Sequence, residues 1–475
     1  MVGDDDGSPA RSGQAWRRTT LYVALAAAAT CMISFLHHTV LCARAGNAYT
    51  RDLCSNDLVR LYHTRGLDIG KVPYFDHLPG SMPYVEYPVL TGWFMQITGD
   101  ITRALKPSNG SGTFFKLTAV ALLLCAVFAA VTTAWTAGRR SRKVGLMVAL
   151  SPGLLLTAYL NWDLLAVALT AGFLLLWARK RLVFAGVLLG LAIAAKFYPV
   201  IFLGPLLLLC LRAGRMREFG RLLAATLATW LVVNVPVMIG AWAGWSWFYT
   251  FSQKRPVDWG STFMLIHADF TRNFAHDQIT GEAAKGVPLV NAIGQVALAL
   301  LCLGIAALAL GATRRPRLTQ LLFLVTAAFI VTNKVWSPQY VLWLLPLAAL
   351  ARPKLPGFII WQAGEVLYVI AVWWYFVAKY IYSSPGTGVG GLLTSLLHGH
   401  PPTKGINLSV YHYGIAVHLL ALVFYAALVV WDILRPDRDL VRADGDDDPA
   451  GGPLDGAEDR FTLSRLRRRR AVVTA

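Results

Sequence analysis

Long apolar stretches, punctuated by short polar and basic segments, run along this chain from about residue 19 to residue 435. Their approximate bounds are 19–43, 113–137, 144–159, 162–178, 182–195, 199–212, 221–241, 287–312, 317–332, 338–351, 356–378 and 410–434. Uninterrupted apolarity over about 14–25 residues predicts helices that cross a bilayer. It excludes a membrane β-barrel, whose strands alternate polar and apolar positions. The pattern predicts an all-α polytopic membrane protein with about twelve transmembrane helices.

The basic clusters test that count. With the N-terminus inside, Arg139–Lys143, Arg179–Arg181, Arg212–Arg217, Arg314–Arg317, Arg352–Lys354 and Arg435–Arg438 all fall on the cytoplasmic side, as the positive-inside rule requires. Both termini are then cytoplasmic. Residues 87–106 are semi-apolar, but counting them as a span would invert every later cluster, and Gln96, Asp100 and Arg103 are costly against lipid. They read as an interfacial amphipathic helix within a long first extracytoplasmic loop, 44–112. Residues 182–212 read as two short helices broken near Lys196–Pro199. Spans of about 14 residues fall short of the roughly 30 Å hydrocarbon core, so packing or the bilayer must adjust there. The expected organisation is a disordered tail (1–18), a transmembrane catalytic unit (19–435) and a disordered cytoplasmic tail (436–475) ending in an arginine cluster. Arg465 and Arg467–Arg470 of that cluster suit anionic lipid.

Composition agrees. Apolar residues make up 56% and charged residues 15% of the chain, which excludes an ordinary soluble enzyme and a disordered chain. The net charge of +18 sits mostly between apolar runs rather than on one solvated face, so it reports topology and not nucleic-acid binding. The first run is too long for a signal-peptide core, although Ala43-Arg44-Ala45 resembles a cleavage site, and reads as an uncleaved span. No Cys-x-x-Cys occurs among the six cysteines. Cys42 and Cys54 flank the start of the first loop and suit a disulfide if that loop is extracytoplasmic.

Candidate chemistry lies at the outer boundaries. Asp163, Lys196 and Lys334 stand at or near span ends on that side. Each has a plain structural role open to it: a boundary lysine snorkels, and an acid pairs with a nearby cation. Two lysines against the positive-inside trend, however, suit an anionic group such as a lipid phosphate. In the first loop, a helix from about Asn56 to Arg65 places Asp57 in its first turn, where an acid is stable simply as a capping-region residue. The spans read as nearly free of charge at mid-depth. GxGxxG, P-loop and HExxH motifs are absent.

The strings YVEYPVLTG (84–92), NWDLLAVAL (161–169), GLAIAAKFYPVIF (190–202) and NKVWSPQYVLWLLP (333–346) together resemble glycosyltransferase family 87. This is a GT-C-type group that includes polyprenyl-phosphate-mannose-dependent mannosyltransferases of actinobacterial envelope glycolipids. The resemblance spans residues 20–435. It implies a GT-C-like fold, an active site on the periplasmic side of the bacterial plasma membrane, a polyprenyl-phosphate sugar donor, and a catalytic aspartate in the first outer loop. That acid corresponds to Asp57, with Asp52 as its rival. The expected reaction is an inverting sugar transfer, with mannose as the sugar, to an envelope glycolipid or lipid-linked glycan. Lys196, Lys334, Tyr198, Gln339 and Tyr340 are expected to hold the donor phosphate. Asn161, Asp163, Glu86 and Tyr87 are expected to contact sugar or acceptor. Lysines neutralise a monophosphate leaving group and no DxD is evident, so no metal or other cofactor is expected. An arabinofuranosyltransferase, a lipid or solute transporter and an envelope polymer ligase are the alternatives. The oligomeric state stays open.

Overall fold

The computed structural model describes residues 9–42, 52–78, 82–266 and 282–462, with side chains from residue 14 and, after the third break, from residue 286. Among them there is no strand, only an isolated bridge between Thr387 and Ile406. The helices used below are α1 (Pro9–Leu36), α2 (Asp57–Thr64), α3 (Val89–Leu105), α4 (Gly110–Thr136), α5 (Ser141–Ala149), α6 (Pro152–Thr157), α7 (Asp163–Ala178), α8 (Leu182–Ala195), α9 (Leu203–Ala213), α10 (Met216–Gly240), α11 (Trp242–Lys254), α12 (Glu282–Gly311), α13 (Leu318–Thr332), α14 (Val341–Ala351), α15 (Leu355–Phe376), α16 (Val389–Leu397) and α17 (Leu408–Leu434). Among the described residues, six helical stretches are long and apolar enough to cross a membrane: Gln14–Leu41, Gly110–Thr136, Met216–Gly240, Gly286–Gly311, Leu355–Ile381 and Leu408–Leu434. Five further apolar helices are shorter.

Three of the short helices, α7, α13 and α14, are the most enclosed, whereas α8 and α9 each keep an exposed apolar side. Every residue of α14 is buried, and so is nearly all of α13, whereas α10 and α12 expose Val232, Ile239, Val296 and Leu303. A helix enclosed by other helices has little contact with lipid and need not match the hydrocarbon thickness. The expected span 144–159 is two helices rather than one. Ser151 caps α6 through its hydroxyl, with Pro152 at the first helical position. The break at 182–212 is as read: α8 stops at Ala195, and a 3-10 turn, Tyr198–Phe202, leads into α9. α8 lies close against α10 because Gly186 and Gly190 admit its backbone; a Cβ there would come within 2.5 Å of Leu222 O and 2.6 Å of Thr226 O.

α3 turns Ile97, Ile101 and Leu105 outward while Gln96, Thr98 and Thr102 are buried against protein. An apolar stripe facing away from the protein fits a helix lying in the interface. Cys42 and Cys54 are joined by a disulfide, with Cα atoms 5.5 Å apart.

Two expectations are corrected. The stretch 436–462, expected as part of a disordered tail, folds back over the ends of the helices and buries Asp439, Val441, Asp448 and Leu454. Its carboxylates find buried guanidinium groups, which hydropathy does not register. Arg465 and Arg467–Arg470 lie outside the described residues. Second, the spans do carry ionisable groups at mid-length. Glu365 of α15 and His418 of α17 are buried, with His418 Nδ1 3.0 Å from the Glu365 carboxylate and Trp361 Nε1 donating to its other oxygen at 2.8 Å. Pairing across the two helices hides both groups from lipid.

Candidate functional site

Asn56 caps α2 by accepting from the Val59 amide, which fixes Asp57 as the first helical residue. The Asp57 amide donates to Leu160 O at 2.9 Å, so the loop helix is tied to the turn between α6 and α7. The next residue in that turn, Asn161, is buried and donates from Nδ2 to both Asp57 Oδ2 (2.9 Å) and Tyr87 Oη (2.7 Å). Asp57 keeps 36% of its side chain exposed, and Arg60 stands 3.8 Å away. Partial burial raises its pKa above the ordinary carboxylate value, with Arg60 and Asn161 pulling the other way. Asp57, rather than Asp52, is the acid that Asn161 reaches.

Lys196 sits where α8 ends. Its Nζ lies 3.2 Å from Asp163 Oδ2 and faces the rings of Tyr87 (5.4 Å) and Trp343 (5.9 Å). Asp163 is fully buried, and its other oxygen accepts from Trp343 Nε1 at 2.7 Å. Of the two roles open to Asp163, pairing with a cation is the one observed here. Trp343 is stacked between Tyr340 (3.7 Å between ring centroids) and Tyr198 (4.3 Å). The Tyr198 hydroxyl lies 3.2 Å from that of Thr170, so Tyr198 stands in the packed wall of the site.

Five expected residues, Asp57, Tyr87, Asn161, Asp163 and Lys196, thus form one connected set, with Tyr198 and Tyr340 joined to it through Trp343. Glu86 stands beside it, held by Arg65 through Nε at 2.7 Å and NH2 at 2.5 Å. Lys334 belongs to a different contact set. Its Nζ donates to Gln253 O (2.7 Å), and its carbonyl accepts from the Asp258 amide (2.7 Å). Burial and the neighbouring Arg255 lower its pKa to about 8. Gln339 is buried in the turn between Lys334 and α14.

Sequence reasoning missed Trp343, Arg65, Arg255 and Asp258. Arg255 pairs with Asp258 at 3.6 Å, and Asp258 also accepts from Ser337 Oγ at 2.9 Å. The reasoning applied to Lys196 and Lys334 would have found Arg255, another cation in a segment expected on the outer side. Trp343 carries no such signal, because a tryptophan in an apolar run reads as core. Beside the set, Tyr87, Phe197, Trp230, Trp245, Phe248 and Tyr249 surround a small void of about 10 Å³ between α3, α8, α10 and α11.

The one cluster of potential metal ligands among the described residues, His37, Cys42 and Cys54, uses both sulfurs of the disulfide and so lacks thiolates. Asp57, Glu86 and Asp163 are each met by a different donor, Asn161, Arg65 and Lys196.

Residues 158–386 match the model of the family described as Mannosyltransferase (PIG-M). The matched stretch contains Asn161, Asp163, Lys196, Lys334 and Tyr340 and leaves Asp57, Glu86 and Tyr87 outside. This match supports a glycosyltransferase. No curated protein matches the chain. Among solved structures, the apo oligosaccharyltransferase of Archaeoglobus fulgidus is 12% identical with a TM-score of 0.39, over 87% of this chain and 56% of that one. The Archaeoglobus fulgidus oligosaccharyltransferase AglB in complex with an inhibitory peptide and a dolichol-phosphate is 12% identical with a TM-score of 0.33, over 96% of this chain and 54% of that one. The chain thus spans about half the length of these structures.

Proposed function

We propose that this protein is an integral membrane glycosyltransferase that moves a sugar, mannose in the first instance, from a polyprenyl-phosphate donor to a lipid-linked acceptor on the extracytoplasmic side of the bacterial plasma membrane. The observation that carries the reading is the convergence, at one end of the helices, of a partly exposed carboxylate (Asp57) with Asn161, Tyr87 and Lys196. The Cys42–Cys54 disulfide beside α2 supports an oxidising compartment for that end.

The reaction is an inverting displacement. The acceptor hydroxyl oxygen forms a bond to the anomeric carbon as the carbon–oxygen bond to phosphate breaks, and the electron pair leaves with the polyprenyl phosphate. Asp57 takes the hydroxyl proton, with Asn161 orienting its carboxylate. Lys196 stabilises the charge growing on the leaving phosphate, in a setting of aromatic walls that strengthens the attraction. Lys334 and Arg255 add positive potential from the neighbouring loop, and Gln339 and Tyr340 line that side. Glu86 and Tyr87 face the acceptor.

No metal is required in this reading, because the three carboxylates are held apart by separate donors and lysine supplies the counter-charge. Turnover unchanged after EDTA treatment is the expected result; loss restored by Mg²⁺ or Mn²⁺ refutes this part. The main test is Asp57→Asn assayed with radiolabelled polyprenyl-phosphate mannose. Turnover should fall about 10²–10⁴-fold, and wild-type turnover would exclude Asp57 as the base. The Glu365–His418 pair at mid-span favours a second reading, a transporter, since such pairs serve proton-coupled transport. Flux across proteoliposomes without glycosylated product would select it.

A further inference from the structure

The outer turn of α15 and the loop after it build a second polar pocket that the transfer chemistry above does not use. A cavity of about 380 Å³, within the roughly 300–1,000 Å³ range of small-ligand sites, is bounded by Tyr375, Ala378, Lys379, Ser383, Ser384 and Leu408 among others. Lys379 Nζ lies 4.3 Å from the centre of the Trp259 ring, with Tyr375 and Tyr380 at 5.9 and 5.8 Å. No carboxylate among the described residues stands within ion-pairing distance of it. Ser384 Oγ is buried without a hydrogen-bond partner, while its amide is anchored on Ala378 O at 2.9 Å. A cation without a counter-charge beside a buried, unused hydroxyl is a donor set waiting for an anion with several oxygens.

The pocket is rigidly framed. Tyr411 stacks on Tyr375 and donates from its hydroxyl to Trp259 O at 2.6 Å. The far side of the loop is pinned by the Ile406 amide on Trp374 O (3.2 Å). Trp259 follows Asp258 directly, so this pocket and the Lys334–Tyr340 side of the candidate site share one loop. Its surroundings select a lipid over a free anion. Tyr380, Ile381 and Tyr382 are exposed at the rim, and the adjoining α16 exposes Val389, Leu393, Leu396 and Leu397. Exposed aromatic and aliphatic side chains beside a polar pocket fit the headgroup layer of a bilayer.

We propose that this cavity is a lipid-binding subsite and takes the anionic phosphodiester headgroup of a lipid, with Lys379 and Ser384 on the phosphate oxygens. Lipid binding at this cavity does not depend on the glycosyltransferase reading. The experiment is native mass spectrometry of the full chain in equimolar phosphatidylglycerol and phosphatidylcholine. Wild type should retain phosphatidylglycerol about tenfold over phosphatidylcholine. Lys379→Gln should abolish that preference, Lys379→Arg should keep it, and Ser384→Ala should weaken it. Equal retention by wild type and Lys379→Gln, or no preference in wild type, overturns the subsite. Displacement by millimolar glycerol phosphate would assign the pocket to a soluble phosphate ester and overturn the lipid part. Asp57→Asn should retain the lipid while losing transfer. Active Asp57→Asn refutes the mechanism alone, whereas lipid-blind wild type refutes this subsite alone.

Discussion

The two ends of the helix bundle handle charge in opposite ways. At the arginine end, Arg317 and Arg212 have nearly all their donors satisfied. Arg317 donates to both oxygens of Asp439 (2.8 and 3.1 Å) and to the α14 carbonyls of Leu350 (2.9 Å) and Ala351 (2.6 Å). Arg212 spends its donors in a similar way, two of them on one oxygen of Asp459 (2.9 and 2.6 Å) and the others on Ala309 O (2.8 Å) and Ala312 O (2.9 Å). Each guanidinium therefore closes a helix C-terminus and locks the 436–462 stretch on it. At the Asp57 end, Asp57 accepts from Asn161 and stays partly exposed, and Lys196 meets Asp163 while part of its side chain faces out. A saturated network stabilises; an unsaturated one holds charges ready for a ligand. The difference separates a clamp from a site more sharply than the number of charges does.

Mutations at the two ends should part along that line. Asp57→Asn has the largest expected consequence, the loss of turnover given above, with a melting temperature unchanged within about a degree. A drop of many degrees would make Asp57 structural. Arg317→Met should do the reverse. Breaking a buried pair costs about 3–5 kcal/mol, read as lower yield and Tm in detergent, while kcat per folded molecule stays at the wild-type value. Arg317→Met combined with Asp439→Leu should recover part of that stability, because neither charge is then left unpaired.

Lys196→Met should lower kcat/KM for the donor about 10–100-fold, the loss of one charge-assisted contact of about 1.5–3 kcal/mol. Unchanged donor kinetics would reduce Lys196 to a boundary lysine. The smallest effect is the pH profile. The raised pKa of Asp57 places the acid limb of kcat/KM above the usual carboxylate range, with activity falling as pH drops and the base becomes protonated. Lys334, lowered to about 8 by burial and Arg255, must be protonated to attract phosphate, so activity should decline as pH rises through that value. Lys334→Arg should move the alkaline limb upward; a limb that stays near 8 assigns it elsewhere.

Much of the bundle was legible in the pattern of residues, because bilayer energetics reward apolar length and put basic clusters on one side. The helix break at Lys196–Pro199 and the amphipathic 87–106 segment follow from proline geometry and from charges too costly to bury in lipid. Sidedness singled out Asp57, Asp163 and Lys196 one by one, but their grouping with Tyr87 and Asn161 was expected only through resemblance, since their sequence separations are long and no periodicity links them. What the tertiary structure alone decided is pairing. Hydropathy scores Asp439, Asp448 and Asp459 as polar tail and Trp343 as core, yet the first three meet buried arginine or backbone groups and Trp343 holds the carboxylate of Asp163. A one-dimensional pattern records how much a residue prefers water; it does not record which partner will replace that water when the chain folds.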